Sequence, residues 1–285
     1  MSAVLILAIT LLSLAEGVFI KRYNTRHGKG GFLFTAMIGF FSMLVFVFKD
    51  TDGFNVPSGL WVYAVVAGLL YGSASILTYI ALGCGSFAMS MLILSYALVF
   101  SIGYGLFFLN EAATVFTYLG LVLILVSLYL TKASKREENA QKVTLKWVIC
   151  IGLSVIGSGM YGVVCRMQQI AFNNSCTNEF MIITLALSTA ILTAIGLKKD
   201  GKDLGYVLKY GAVWTALAGC SNGINNALSL LLNTMMPISI ASPVKAGVKI
   251  LFSFAISVFL FREKFEKRQI VGVALGTAAL VLLNL

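Results

Sequence analysis

The sequence predicts an all-α integral membrane protein of ten transmembrane helices, built as two inverted repeats of five. Three observations predict it. Apolar residues make up 59% of the 285 and charged residues only 11%, against about a quarter in soluble domains. Such a chain could not cover its surface in water, whereas lipid asks for no polar cover. Ten apolar stretches are long enough to cross about 30 Å of hydrocarbon. The two halves also repeat one another in sequence.

The stretches run over residues 2–20, 31–48, 60–82, 86–109, 113–131, 145–166, 179–197, 208–231, 237–261 and 267–285. The first begins at Ser2 with no basic segment before it and no small-residue cleavage site. It therefore reads as a helix of the mature chain and not as a signal peptide. The longest polar stretch is central and contains KASKREENAQK. It divides the chain into a first five-helix repeat (1–131), a linker (132–144) and a second repeat (145–285). With 27 glycines and three prolines, the helices are suited to close packing.

The repeat is visible residue by residue. At an offset of 151, Ala67, Gly68, Gly72 and Leu77 match Ala218, Gly219, Gly223 and Leu228. At 152, Phe100, Ser101, Phe107, Glu111, Gly120 and Leu128 match Phe252, Ser253, Phe259, Glu263, Gly272 and Leu280. At 145, Gly17 and Val18 match Gly162 and Val163, and Lys21 meets Arg166. Five helices is an odd number, so the second repeat must enter the membrane upside down. Inverted repeats are a recurring plan of secondary transporters, with the substrate at their interface.

Basic residues set the orientation. With both termini on one side, the opposite side receives 17 lysines and arginines, from Lys21 to Arg268. The terminal side receives two, Lys49 and Arg166. The basic side should be the cytoplasm, which places both termini of this multi-pass protein outside it. The net charge of +10 is thus a topology signal and not a nucleic-acid patch.

The segment SVFLFREKFEKRQIVGVALGTAALVLLNL, from Ser257 to Leu285, and LFFLNEAATVFTYLGLVLILVSLYL, from Leu106, share a pattern. A glutamate follows one helix, then come a polar turn and a glycine-punctuated helix. Both segments resemble the ends of the repeats in the drug/metabolite transporter superfamily, in particular its ten-helix EamA-type members. SLAEGVFIKRY resembles the first helix of the four-helix small multidrug resistance proteins, with Ala15 and Glu16 followed by Gly17 and Lys21. The resemblance implies an inner-membrane secondary transporter working by alternating access, with Glu16 at the position where those relatives exchange a proton for a cationic drug. Two features depart from that pattern. The second-half counterpart of Glu16 is Tyr161, and Lys245 and Lys249 lie inside a span. Members of the family are drawn with cytoplasmic termini, opposite to the charge bias here.

A charge in hydrocarbon costs several kcal/mol, so each one asks for a role. Lys249 sits at the middle of its stretch and Lys245 one turn earlier on the same face. Their counterparts in the first half are Ala97 and Ile93. The two lysines read either as an anchor for a substrate carboxylate or phosphate, or as an internal salt bridge or uncharged lysine. Asn222, Asn225 and Asn226 form a polar face on the preceding helix, at the depth of the lysines when counted at about 1.5 Å per residue. That face is a cavity wall or interhelical glue. Pro243 kinks the helix or breaks it.

Glu16 is the one carboxylate clearly inside a span. It reads as a proton-coupling group or as an interfacial glutamate paired with Lys21 or Arg22. By rise along the helix it is shallower than Lys249 by roughly 10 Å. Tyr71, Ser95, Tyr96 and Tyr161 are further candidates for the same cavity. Glu111 and Glu263 cap short turns, and His27 sits solvated in a basic loop. Cys84, Cys150, Cys165, Cys176 and Cys220 read as reduced packing residues.

No HExxH, no GxxxxGK[ST], no nucleophile-plus-base pattern and no cofactor fingerprint is present. The expectation is a transporter and not an enzyme, with no cofactor and no metal. Its partners would be a small-molecule substrate and the bilayer, in a monomer or a homodimer. The substrate is expected to be a small anionic or zwitterionic metabolite, moved with or without protons. Two other readings stay open: cation or drug export through Glu16, and a non-transporting assembly partner.

Overall fold

The computed structural model describes residues 2–49, 54, 56–85, 87–109, 115–130, 144–261 and 267–282. Every regular element among them is helical. In chain order these are α1 (Ser2–Arg26), α2 (Gly31–Lys49), α3 (Leu60–Cys84), α4 (Phe87–Leu94), α5 (Leu98–Phe108), α6 (Val115–Leu130), α7 (Leu145–Ala171), α8 (Thr177–Lys199), the short α9 (Leu204–Tyr206), α10 (Ala212–Met235), α11 (Ile238–Phe261) and α12 (Lys267–Leu282). Six helices are long and apolar enough to cross a membrane: those within α1, α2, α3, α7, α8 and α11. Large apolar side chains cover the outer surface, among them Phe48, Phe107 and Phe259. This is the build of a multi-pass membrane protein.

Helix ends follow local chemistry. Thr144, the last residue of the expected linker, accepts from the Trp147 amide at 3.2 Å and starts α7. The rest of the linker, Glu111 and Glu263 lie outside the described residues. The α7–α8 turn holds Asn173, Asn174 and Cys176 at positive φ, a conformation asparagine tolerates. Pro237 immediately precedes α11 and its carbonyl accepts from the Ala241 amide at 2.9 Å. Pro243 does not break α11, which runs through it.

Two expected stretches are not simple α-helices. The fourth is interrupted by a tight 3-10 turn at Ser95–Ala97. The eighth begins with a π-helical turn at Val207–Gly211.

Helix α1 runs six residues past its expected end, and this corrects the reading of Lys21 as a loop residue. Lys21 is buried and donates to the carbonyls of Leu82 (3.0 Å) and Gly85 (2.5 Å). These are orphan acceptors at the end of α3. Asn24 donates to Tyr79 O at 2.8 Å, and Tyr23 stacks on Phe34 with centroids 3.9 Å apart. A polar-looking segment stays helical because a neighbouring helix end supplies its partners. His27, expected in solvent, pairs with the Tyr206 hydroxyl at 2.8 Å and stacks on Tyr210.

Packing joins the halves. Helix α2 packs against α8 and α10, α3 against α7 and α8, and α1 against α10. Helices α6 and α12 pack chiefly on each other, where the Ser127 hydroxyl donates to Gly272 O at 2.6 Å. Two Gly-x3-Gly pairs set the closest approaches. A Cβ on Gly68 or Gly72 of α3 would meet Thr184 O at 3.0 Å or Ser188 Oγ at 2.8 Å of α8. A Cβ on Gly219 of α10 would lie 2.6 Å from Ile38 O, and one on Gly223 2.8 Å from Ser42 O, both on α2. Gly219→Ala is therefore expected to cost about 1–3 kcal/mol by forcing α10 off α2, read as a lower melting temperature in detergent. Gly103→Ala, whose Cβ meets nothing within 4 Å, is the control and should melt like the parent.

Candidate functional site

A cavity of about 350 Å³ lies between α1, α3, α7, α10 and α11, closed in part by α2 and by the α4–α5 pair. Each wall is one helical stripe. On α11 the lining residues are Ser242, Lys245, Ala246 and Lys249; on α10 they are Asn222, Asn225, Asn226 and Ser229; on α3, Tyr71, Ala74, Ser75 and Thr78. All three follow i, i+3, i+4, i+7, the spacing that puts side chains on one face. On α1 the stripe includes Thr10, Ser13, Glu16 and Gly17. Helix α7 contributes Ser158, Tyr161 and Gly162.

Asn222 organises the centre. It is buried, and its Oδ1 accepts from Ser42 Oγ (2.8 Å, α2), Tyr71 OH (2.7 Å, α3) and Asn226 Nδ2 (2.9 Å). Its Nδ2 donates to Glu16 Oε1 at 3.0 Å. One amide thus ties α1, α2 and α3 to α10. A carboxylate only accepts, so the Glu16 bond also fixes which way the amide faces. Tyr161 adds a long hydrogen bond to Asn226 Oδ1 (3.4 Å), and its ring lies 5.4 Å from that of Tyr71. Asn225 lines the cavity, and its carbonyl oxygen is buried without a hydrogen-bond partner among the described residues.

Glu16 is therefore a cavity residue held by Asn222, while Lys21 turns to the carbonyls at the end of α3. Lys249 faces Glu16 electrostatically across the cavity. Among the described residues neither Lys245 nor Lys249 has a hydrogen bond or an ion pair within 4 Å. Both lysines are partly buried as residues and line the cavity. Two cations and one carboxylate leave the site with one net positive charge when all three are ionised. This is an electrostatic invitation to an anion, since the low dielectric of the surroundings makes each charge act strongly.

Of the sequence-predicted residues, the structure brings together Glu16, Tyr161, Asn222, Asn225, Asn226, Lys245 and Lys249, with Tyr71 and Ser95 beside them. It does not bring Tyr96. Ser95 and Ala97 flank the cavity, while Tyr96 packs with the apolar cluster around Ile6, Ile9, Leu98 and Ile102. The α4–α5 stripe runs through Met91, Leu94, Ser95 and Leu98, and position 96 falls off it. Ser42 and the small hydroxyl residues Thr10, Ser13, Thr78 and Ser158 were not singled out. Their signal was the same helical spacing, carried by residues common in any membrane helix.

No family model matches the chain, and no curated protein sequence matches it. Its fold does have a solved counterpart. A crystal structure described only as that of a protein superposes with a TM-score of 0.65, covering 97% of this chain and 98% of that one at 13% identity. At that identity the likeness is one of fold, and it extends over nearly the full length of both chains.

Proposed function

We propose that the chain is a secondary active transporter of a small anionic or zwitterionic metabolite, working by alternating access and coupled to protons. The observation that carries this reading is the cavity itself. Two ammonium groups without hydrogen-bond or ion-pair partners among the described residues and one hydrogen-bonded carboxylate face a space of about 350 Å³, at the small end of the ligand-pocket range. Lys245 and Lys249 anchor the anion, the Asn222 to Asn226 face orients it, and Glu16 exchanges the proton. The resemblance to the drug/metabolite transporter superfamily points the same way.

The ten-span, inverted-repeat organisation belongs to this proposal, with residues 1–131 and 145–285 as the two repeats. Packing supports it. Exchanging the halves turns the α3–α8 contact into the α10–α2 contact and the α1–α10 contact into the α7–α3 contact. The matched glycines Gly68 and Gly219 each sit at one of those exchanged contacts, as do Gly72 and Gly223. Glu16 and Tyr161 are equivalent by sequence offset, as are Tyr71 and Asn222, and all four line the cavity. In this reading the site lies between the repeats, where such transporters place theirs. The placement of both termini outside the cytoplasm rests on the charge bias alone, and the plasma membrane location on the resemblance.

The test is transport in proteoliposomes with a panel of labelled small carboxylates and phosphate monoesters. An imposed proton gradient should drive accumulation of at least one of them. Glu16→Gln is expected to abolish that accumulation while exchange of labelled for unlabelled anion continues, because the binding lysines remain. Transport of lipophilic cations and of no anion would overturn the assignment.

A further inference from the structure

The cavity's hydroxyl groups carry more information than their number. Seven serines, three threonines and two tyrosines line it, with three asparagines. The direction of their hydrogen bonds matters most. Thr10 donates to Ile6 O (2.8 Å), Thr35 to Gly31 O (2.8 Å) and Ser95 to Met91 O (2.9 Å). Each proton goes back to its own helix. Ser154 donates to Ala74 O at 3.0 Å, so in its 2.6 Å bond with Thr78 the threonine must be the donor. A hydroxyl has one proton and two lone pairs. Four cavity hydroxyls, on α1, α2, α3 and at the α4–α5 turn, are therefore left as acceptors. Lys245 and Lys249, donors with no hydrogen bond or ion pair to another described residue, stand together on α11.

A matching ligand has an anionic end and a body carrying several O–H donors. An alkyl chain would leave the acceptors dry and unpaired. A single ammonium offers its donors at one point, while the acceptors come from four separate places on the wall. Glu16 adds one more acceptor to the same wall.

We infer that the ligand of this cavity is a polyhydroxylated organic anion, a sugar acid or a sugar phosphate, with its anionic group on Lys245 and Lys249 and its hydroxyls on the acceptor wall of Thr10, Thr35, Thr78 and Ser95. This rests on the anion-transport reading of the same cavity and narrows it to one chemical class.

The experiment is direct binding to the purified full-length protein in detergent, by calorimetric titration, with gluconate, glucose 6-phosphate, sorbitol and hexanoate. Gluconate or glucose 6-phosphate should bind at least about tenfold more tightly than hexanoate, because hydrogen-bonded hydroxyls discriminate strongly against ligands that lack them. The gluconate and glucose 6-phosphate arms separate carboxylate from phosphate. Sorbitol, which has the hydroxyls and no charge, should bind weakly. Thr10→Val and Ser95→Ala should each narrow the gap between gluconate and hexanoate without weakening hexanoate. Equal binding of hexanoate and gluconate, lost together in Lys249→Met, would overturn the polyol class and leave the anion reading standing. Binding of none of the four, or of sorbitol as tightly as gluconate, also overturns the inference; tight sorbitol binding counts against the anion anchor as well.

Discussion

Lys249→Met is expected to weaken anion binding and slow transport sharply while leaving the fold intact. The ammonium faces the cavity with no hydrogen bond or ion pair to another described residue, so no internal partner is stranded when it goes. A hydrogen bond to a charged group contributes about 1.5–3 kcal/mol. Its loss should weaken the apparent affinity for the anion by roughly ten- to a hundredfold. Methionine keeps the length of the stem and removes a charge that is costly in an apolar surrounding. The melting temperature without ligand should therefore stay level or rise. A variant that transports at the parent rate, or that fails to fold, would remove Lys249 from the site.

Asn222→Ala should do the opposite and damage the fold as well as the site. Three donors from α2, α3 and α10 share its carbonyl oxygen, and its amide holds Glu16 of α1. Alanine leaves them without those partners in a water-poor interior, at about 1–3 kcal/mol for each group that cannot find another. A loss of roughly 3 kcal/mol or more is expected, measured as a lower melting temperature in detergent. Tyr71→Phe and Ser42→Ala each remove one donor and should cost less. Combined with Asn222→Ala they should add little, because all act through the same oxygen. An Asn222→Ala variant that melts with the parent would show that the four-way contact is incidental.

The contrast between the two residues explains how far the sequence could be read. Both were visible as polar residues inside apolar stretches, and both were assigned to one cavity. Their different characters were not visible. Lys249 has no hydrogen bond or ion pair to another described residue, only the Glu16 charge across the cavity, and lines the space a ligand would fill. Asn222 gives its carbonyl oxygen and one amide proton to the protein, and so positions Glu16. That difference depends on Ser42, Tyr71 and Glu16, the last of them 206 residues away, and no local pattern carries it. Lys21 makes the same point from the other direction. Its sequence neighbours Arg22, Asn24 and Arg26 read as a loop, yet it is buried because the carbonyls of Leu82 and Gly85 end another helix beside it.

By itself the sequence determined the helical, membrane-suited build, the positions of the helical stretches and the polar stripes along them. Each of these follows from hydropathy and from the helical period, which are local properties of the chain. Tertiary structure alone decided which stripes meet, that Ser95 and not Tyr96 lines the cavity, that Glu16 pairs with Asn222, and that Thr78 gives its proton to Ser154 of α7. Those facts are set by close approach between helices distant in sequence, at glycines such as Gly219 and Gly223, and by where each hydroxyl proton finds its nearest acceptor.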